Sequence, residues 1–515
     1  MTHGKPGKRA EGGVAYTSAG IDYFEDRKLR RHAGVFYLWA LGVAAVISGD
    51  FSGWNLGLAV GGWGGMFLGA LLITLMYLGL TYSIAEMSPA LPHTGGAYSF
   101  ARTAFGPWGG FVTGLAENVE YVLTPAVIVY FIGAYASAIF GTPPEFQPLY
   151  WVAGYVIFVT ANARGVELSF MVTTMVTLMA IAVLITFFLS ALPHIDFSRY
   201  ALNIGVNEAG EAVQLEDGNG PFLPFGFYGV LAAMPFAVWL FLAIEQLPLA
   251  AEESVDPKRD MPKGIMLGMF TLIGLGFLVL LINPSIPIER GVNGETLTGA
   301  FALGSSPEPI LDGFSAIFNV EAAGALSLAA VVGLVASFHA IIFAGGRQIY
   351  SLSRAGYFPR FLSITHKKHN TPNVALIALA TVGLAVMLTV WFTMGGAHAG
   401  AFIGGVLLNM AVFGAMFSYL LQGLTFIELR RRLPHIERPY RSPFGVTGAG
   451  LTVGIALLTI GFQLTDPVYR IGVIGVAIWY AIAIAYFLVH SRKTLVLSPE
   501  EDFAMRHRDG GRKAQ

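Results

Sequence analysis

The stretch Ser48-Gly49-Asp50-Phe51-Ser52-Gly53-Trp54-Asn55 decides how this chain is read. It interrupts the first long apolar run, at about 34–60, with glycines, serines and a carboxylate. Glycine weakens a helix, and a broken helix survives inside a membrane only where its freed backbone is buried in protein or lines a cavity. Transporters build substrate sites from such breaks. A carboxylate at that depth is costly and marks function by default. A positively charged substrate is the simplest partner for it.

The rest of the chain supports a membrane setting. Of 515 residues, 55% are hydrophobic and only 12% charged, against roughly 25% charged in a soluble domain. There is no cysteine, which excludes disulfides, thiolate metal sites and a cysteine nucleophile. Residues 1–33 are polar, with no apolar core of signal-peptide type, and read as a cytoplasmic tail. Apolar runs near the ~20 residues a bilayer needs predict twelve spans, at about 34–60, 63–88, 107–140, 148–162, 165–192, 226–250, 264–284, 322–348, 373–394, 400–428, 446–464 and 468–490.

Charge tests that assignment. With alternating sides, 28 of the 31 Lys and Arg fall on the side of the amino terminus, and only Arg199, Arg290 and Arg470 fall opposite. The positive-inside rule predicts such a skew, and an odd number of missed spans would destroy it. Both tails, 1–33 and 491–515, are therefore expected inside. The two long outer loops, 193–225 and about 285–321, hold acids such as Glu308 and Asp312 that read as solvated surface. No P-loop is visible, so energy comes from an ion gradient, from exchange or from the substrate gradient. The chain shows no clustered His/Asp metal set and no nucleophile–base pair. An enzyme is not expected, nor is a cofactor or a nucleic-acid partner.

Four motifs carry a resemblance. Span 2 runs into Glu86-Met87-Ser88-Pro89-Ala90-Leu91-Pro92-His93-Thr94-Gly95-Gly96-Ala97-Tyr98. Span 6 is followed by Ala251-Glu252-Glu253-Ser254-Val255-Asp256-Pro257, continuing to Pro262-Lys263-Gly264. Span 8 leads into Arg347-Gln348-Ile349-Tyr350-Ser351-Leu352-Ser353-Arg354-Ala355-Gly356-Tyr357-Phe358-Pro359, and Arg438-Pro439-Tyr440-Arg441 follows span 10. In order and together these resemble the amino acid–polyamine–organocation transporter superfamily. The entry segment Asp22-Tyr23-Phe24-Glu25-Asp26-Arg27-Lys28 and the stretch 48–55 look most like the bacterial ethanolamine permeases.

The resemblance implies an all-α fold with a five-plus-five inverted repeat. Spans 1–5 (34–192) pair with spans 6–10 (226–428), and spans 11–12, with their preceding loop (429–490), are additions. Spans 1 and 6 would be broken around one shared site. Many relatives carry a glycine before the acidic residue of span 6. Here Ile244 stands there, which leaves the point of unwinding open.

Four carboxylates lie inside apolar spans: Asp50, Glu117, Glu120 and Glu245. Basic groups at that depth are few, namely His339 and, near one end of span 8, Arg347. Either some carboxyls are protonated or a cation completes them. Relatives carrying amino acids hold the substrate carboxylate on free N–H groups of span 1. Asp50 would repel that group and attract an ammonium. Asp50 is read as ammonium ligand or as cap of the second half-helix. Ser48 and Ser52 donate to substrate or cap, and Gly49 and Gly53 open the break. Glu117 and Glu120 share one helical face, so one exchanges a proton or binds substrate, or both are structural. Glu245 is a substrate or coupling group, or a helix-end carboxyl.

Trp239, Phe241 and Trp54 are cation–π candidates or packing, and Tyr121 offers an aromatic face beside Glu120. His339 is a proton relay or an interhelix histidine. Arg347 and Arg354 read as gate or scaffold ion pairs with Glu86 or Glu252. Span 5 carries no lysine, and Thr173, Thr174 and Thr177 offer hydroxyls to a sodium ion. The coupling ion stays open between proton and sodium.

Overall fold

The computed structural model describes residues 9–11, 14–18, 29 and 31–497, apart from 92–94, 217, 293, 319, 396–398, 401 and 466. The entry segment 22–28, part of the first motif (Pro92–Thr94) and the tail beyond 497 lie outside the described residues.

The chain is mostly helical. Among the described residues, ten helices are long and apolar enough to cross a membrane, and they correspond to spans 2, 3 and 5–12. Span 1 opens with the shorter apolar helix Val35–Phe51. After an irregular stretch it resumes at Leu56 and runs on into span 2, as far as Ala90. The two are separated by a kink at Gly62, whose φ of 64° is open to glycine but strained for other residues. Span 4 is the helix Gln147–Ala163. Two more helices complete a layout consistent with twelve.

The packing carries the inverted repeat. Span 1 packs along span 7 as span 6 packs along span 2. Span 3 meets span 10 as span 8 meets span 5, while spans 2 and 7, and spans 3 and 8, cross their own counterparts. Exchanging 1–5 for 6–10 maps these contacts onto one another, as a pseudo-twofold axis requires. Spans 11 and 12 lie outside this set, against spans 2 and 10.

Small residues set the closest approaches. A Cβ on Gly79 of span 2 would stand 2.3 Å from the Gly448 carbonyl of span 11. Small residues let membrane helices approach backbone to backbone. The outer loops fold into two hairpins, β3–β4 (Ile204–Val206, Ala212–Gln214) and β5–β6 (Glu289–Val292, Glu295–Thr298). On the opposite, Arg/Lys-rich face, β1 (Arg9–Glu11), β2 (Val14–Ser18) and β7 (Leu495–Leu497) form one sheet in which β2 pairs parallel with β7.

Candidate substrate site at two helix breaks

Both breaks exist. Span 1 stays helical through Phe51, so Ser48, Gly49 and Asp50 occupy its last turn and the irregular stretch is Ser52–Asn55. Span 6 is helical over Gly226–Trp239, irregular at Leu240–Ala243 and a tight 3₁₀ helix over Ile244–Glu253. Ala243 takes the left-handed conformation (φ 78°), which favours glycine. An alanine there costs of order 1–2 kcal/mol. The unwinding thus falls just before Ile244 and leaves Glu245 in the first turn of the second half-helix.

The breaks lock onto each other. The Trp239 indole N–H donates to the Ser52 carbonyl at 3.0 Å. A Cβ on Gly49 would meet the Trp239 carbonyl at 2.3 Å, and one on Gly53 (φ +95°) would meet Trp239 Nε1 at 2.6 Å. Gly49 and Gly53 are the price of that contact. Trp239 is therefore a tether between the half-helices. Trp54 is fully buried.

Side chains from elsewhere satisfy much of the freed backbone of span 1. The Ser337 hydroxyl of span 8 accepts from the Ser48 N–H at 2.8 Å and donates to the Ala44 carbonyl at 2.6 Å. It replaces a helical hydrogen bond and loosens span 1 at that turn. Asn55 Oδ1 accepts the Gly53 N–H at 3.0 Å, and its amide donates to the Leu303 and Ser306 carbonyls. Ser52 Oγ donates to the Pro307 carbonyl at 2.7 Å. Tyr135 of span 3 donates to the Phe51 carbonyl and accepts from the Ile310 N–H. The outer segment 303–310 is thus stitched across the break.

Two of the acids read as solvated outer surface sit in this seal, while Asp196, Glu208, Glu211, Glu216, Glu289 and Glu295 are exposed as expected. Glu308 and Asp312 both pair with Arg290, at 3.1 and 3.0 Å. Burial pushes the Glu308 carboxyl up to about 7, against the pull of Arg290.

The four intramembrane carboxylates are all buried but differ in surroundings. Asp50 has no hydrogen-bond partner on either oxygen. It points toward span 7: a Cβ on Gly276 would lie 3.5 Å from Asp50 Oδ1 and 3.7 Å from the Phe241 ring. Carboxylate and aromatic ring therefore flank one spot beside Gly276.

Glu245 accepts from the hydroxyls of Tyr121 (3.0 Å) and Tyr419 (2.7 Å). Tyr419 also lies 3.4 Å from Glu120 Oε1, and Glu120 Oε2 has no partner. One hydroxyl proton cannot serve two carboxylates, so this trio requires a further proton or a bound cation. Glu117, three residues away, instead accepts from Gln348 of span 8 at 2.7 Å. Phe241, Tyr77 and Tyr419 form a ring-to-ring chain, at 5.5 and 5.4 Å, from the Asp50 side to the Glu120–Glu245 side.

His339 is not part of this group. Its ring meets Asn162 (3.1 Å) and Ser169 (3.2 Å) of spans 4 and 5, the interhelix role. Arg347 forms a buried two-point pair with Glu253, and Arg354 pairs with Glu252. Glu86 pairs instead with Arg430 and Arg438, which ties the first motif to the last. Of the candidate sodium-site hydroxyls, Thr177 donates to the Thr173 carbonyl and Thr174 to the Phe170 carbonyl within span 5. Among the described residues no group of three His, Asp or Glu is set to hold a metal.

Tyr77 and Tyr419 were not singled out in the sequence. A tyrosine within an apolar run reads as packing, and only the fold brings their hydroxyls to the carboxylates.

Comparison with known proteins gives a consistent picture. A family model described as amino acid permease matches residues 34–489. The branched-chain amino acid permease BcaP of Bacillus subtilis (strain 168) is 25% identical over 476 residues, 91% of this chain and 94% of that one. The methylthioribose transporter of the same organism is 22% identical over 503 residues, 92% and 96% of the two chains. A crystal structure of the Eremococcus coleocola manganese transporter shares the fold, with a TM-score of 0.50, 13% identity and coverage of 96% and 98%.

Proposed function

This chain belongs to the amino acid permease family, and from that premise we propose that it imports ethanolamine or a close small amine across a bacterial plasma membrane by alternating access. The observation that carries the substrate class is Asp50, buried at the break with neither oxygen partnered. An unpartnered buried carboxylate costs several kcal/mol unless a cation or proton completes it. Among the described residues none of Asp50, Glu117, Glu120 and Glu245 has an ion-pair partner, and the buried guanidinium of Arg347 is taken by Glu253. An ammonium beside Gly276, between Asp50 and the Phe241 ring, removes that cost and gains a cation–π contact.

Two further points support an amine over an amino acid. The Gly53 N–H, which a substrate carboxylate would need, is bonded to Asn55. Asp50 and the Glu120–Glu245 pair would both repel that carboxylate. The Tyr419-bridged pair is the part suited to exchange a proton during transport, and the coupling ion is proton or sodium. The orientation proposed, with both termini in the cytoplasm, is supported by the skew of basic residues.

The rival reading is an amino acid permease of the same family, favoured by relatives such as the branched-chain permease. Binding to purified protein separates the two, with wild type beside Asp50→Asn and with alanine and choline as comparators. The amine reading expects saturable ethanolamine binding weakened more than tenfold by Asp50→Asn, roughly 1.4 kcal/mol. Tight alanine binding with no response to ethanolamine would sink it.

A further inference from the structure

A second cavity lies away from the breaks. It encloses about 410 Å³ between spans 3, 9, 10 and 12 and the connection that follows span 8. Val122, Leu362, Leu379, Met410 and Trp479 represent its walls, which are apolar except for the Asn118 amide and the Trp479 indole N–H. It is too large and too apolar for a small amine, and its volume is in the range of a ligand with a sizeable apolar body. It opens sideways to lipid, since Val382 on its rim is 48% exposed.

Its mouth adjoins a segment of distinct chemistry. Phe358, Pro359 and Leu362 line the cavity at its Arg/Lys-rich end. Residues 355–375 around them include Arg360, Lys367 and Lys368 and no carboxylate. Phe361 and Ile364 in the same stretch are 59% and 47% exposed, as suits a segment lying in the membrane interface. Arg360 also holds the Thr494 carbonyl, and the two lysines are exposed. Basic groups at the basic-side interface attract anionic head groups.

We infer that this cavity is a binding site for an anionic phospholipid of the leaflet on the Arg/Lys-rich side, with one acyl chain between spans 3, 9, 10 and 12 and the phosphate against Arg360, Lys367 and Lys368. The lipid would bear on transport through span 3, because Val119 and Val122 of the cavity wall flank Glu120 and Tyr121 of the carboxylate group. The inference stands whatever the substrate is.

The test uses full-length protein in phosphatidylcholine vesicles containing phosphatidylglycerol. Bromine is placed on the acyl chains of one lipid or the other, at equal total bromine. Trp479 emission is taken as the difference between wild type and Trp479→Phe. Brominated phosphatidylglycerol should quench Trp479 in excess of brominated phosphatidylcholine. That excess should fall roughly fivefold for each charge removed by Lys367→Gln, Lys368→Gln and Arg360→Gln. Asn118→Leu removes the amide from the wall and should retain the excess. Equal quenching by the two lipids overturns the inference, as does an excess insensitive to the three charges. Loss of the excess in Asn118→Leu also overturns it, because a polar occupant held by the amide would then be the ligand.

Discussion

Gly53 shows how much one residue has to satisfy at a break. Its φ is +95°, and a methyl group there would sit 2.6 Å from the Trp239 indole nitrogen. Gly53→Ala therefore combines a strained backbone with a displaced tether, and should lower stability by about 1–3 kcal/mol. A thermal unfolding midpoint equal to wild type would show that the two half-helices do not depend on this contact. Asp50 is the opposite case, a residue the fold tolerates without a partner. The four carboxylates were legible in sequence because a charge in an apolar run stands out. Their division of labour was not: helical spacing put Glu117 and Glu120 on one face, yet the fold gives one to Gln348 and the other to Tyr419. Those partners come from spans more than 200 residues further along, beyond the reach of local pattern.

At the scale of elements, the break in span 1 could be read from its glycines and serines, whereas that in span 6 could not be placed. Trp239–Glu245 contains no glycine, and tertiary contact with span 1 unwinds it. The outer segment 303–310 was read as loop surface because polar residues between spans look alike whether solvated or not. Its burial has a consequence for pH. Glu308 is held near 7 in the fold against about 4.5 in the open chain. Below pH 4.5 both states carry the proton. Between 4.5 and 7 the unfolded chain ionises while the fold retains it, so stability falls by up to about 3 kcal/mol as pH rises and then levels. Glu308→Gln should flatten that part of the profile. Unfolding midpoints of both proteins at pH 5 and pH 8 check it, and parallel profiles would remove Glu308 as the cause.

For the whole molecule, length, hydropathy and charge skew foretold the spans, because a bilayer imposes one length and one sidedness on every helix. They said nothing of the sheet beneath the bundle, whose short strands carry no periodic signal. In that sheet the Val496 N–H donates to the Ala355 carbonyl, so β7 grips the motif after span 8 as well as β2. Val496→Pro removes the donor from a buried position and should lower the unfolding midpoint, at a cost of about 1–3 kcal/mol. An unchanged midpoint would mean that the sheet is ornamental.

The pairing of Thr17 with Val496 also orders events in time. During synthesis β2 leaves the ribosome first, and its partner emerges only when nearly every helix has been made. At the usual ~5–20 residues per second that interval is on the order of a minute. Throughout it, Tyr16, buried in the finished protein and paired there with Leu495, waits for β7. Closing this seam is a final, post-translational step, and a nascent chain halted short of Leu495 would carry an unpaired strand edge for the cell's quality control to find.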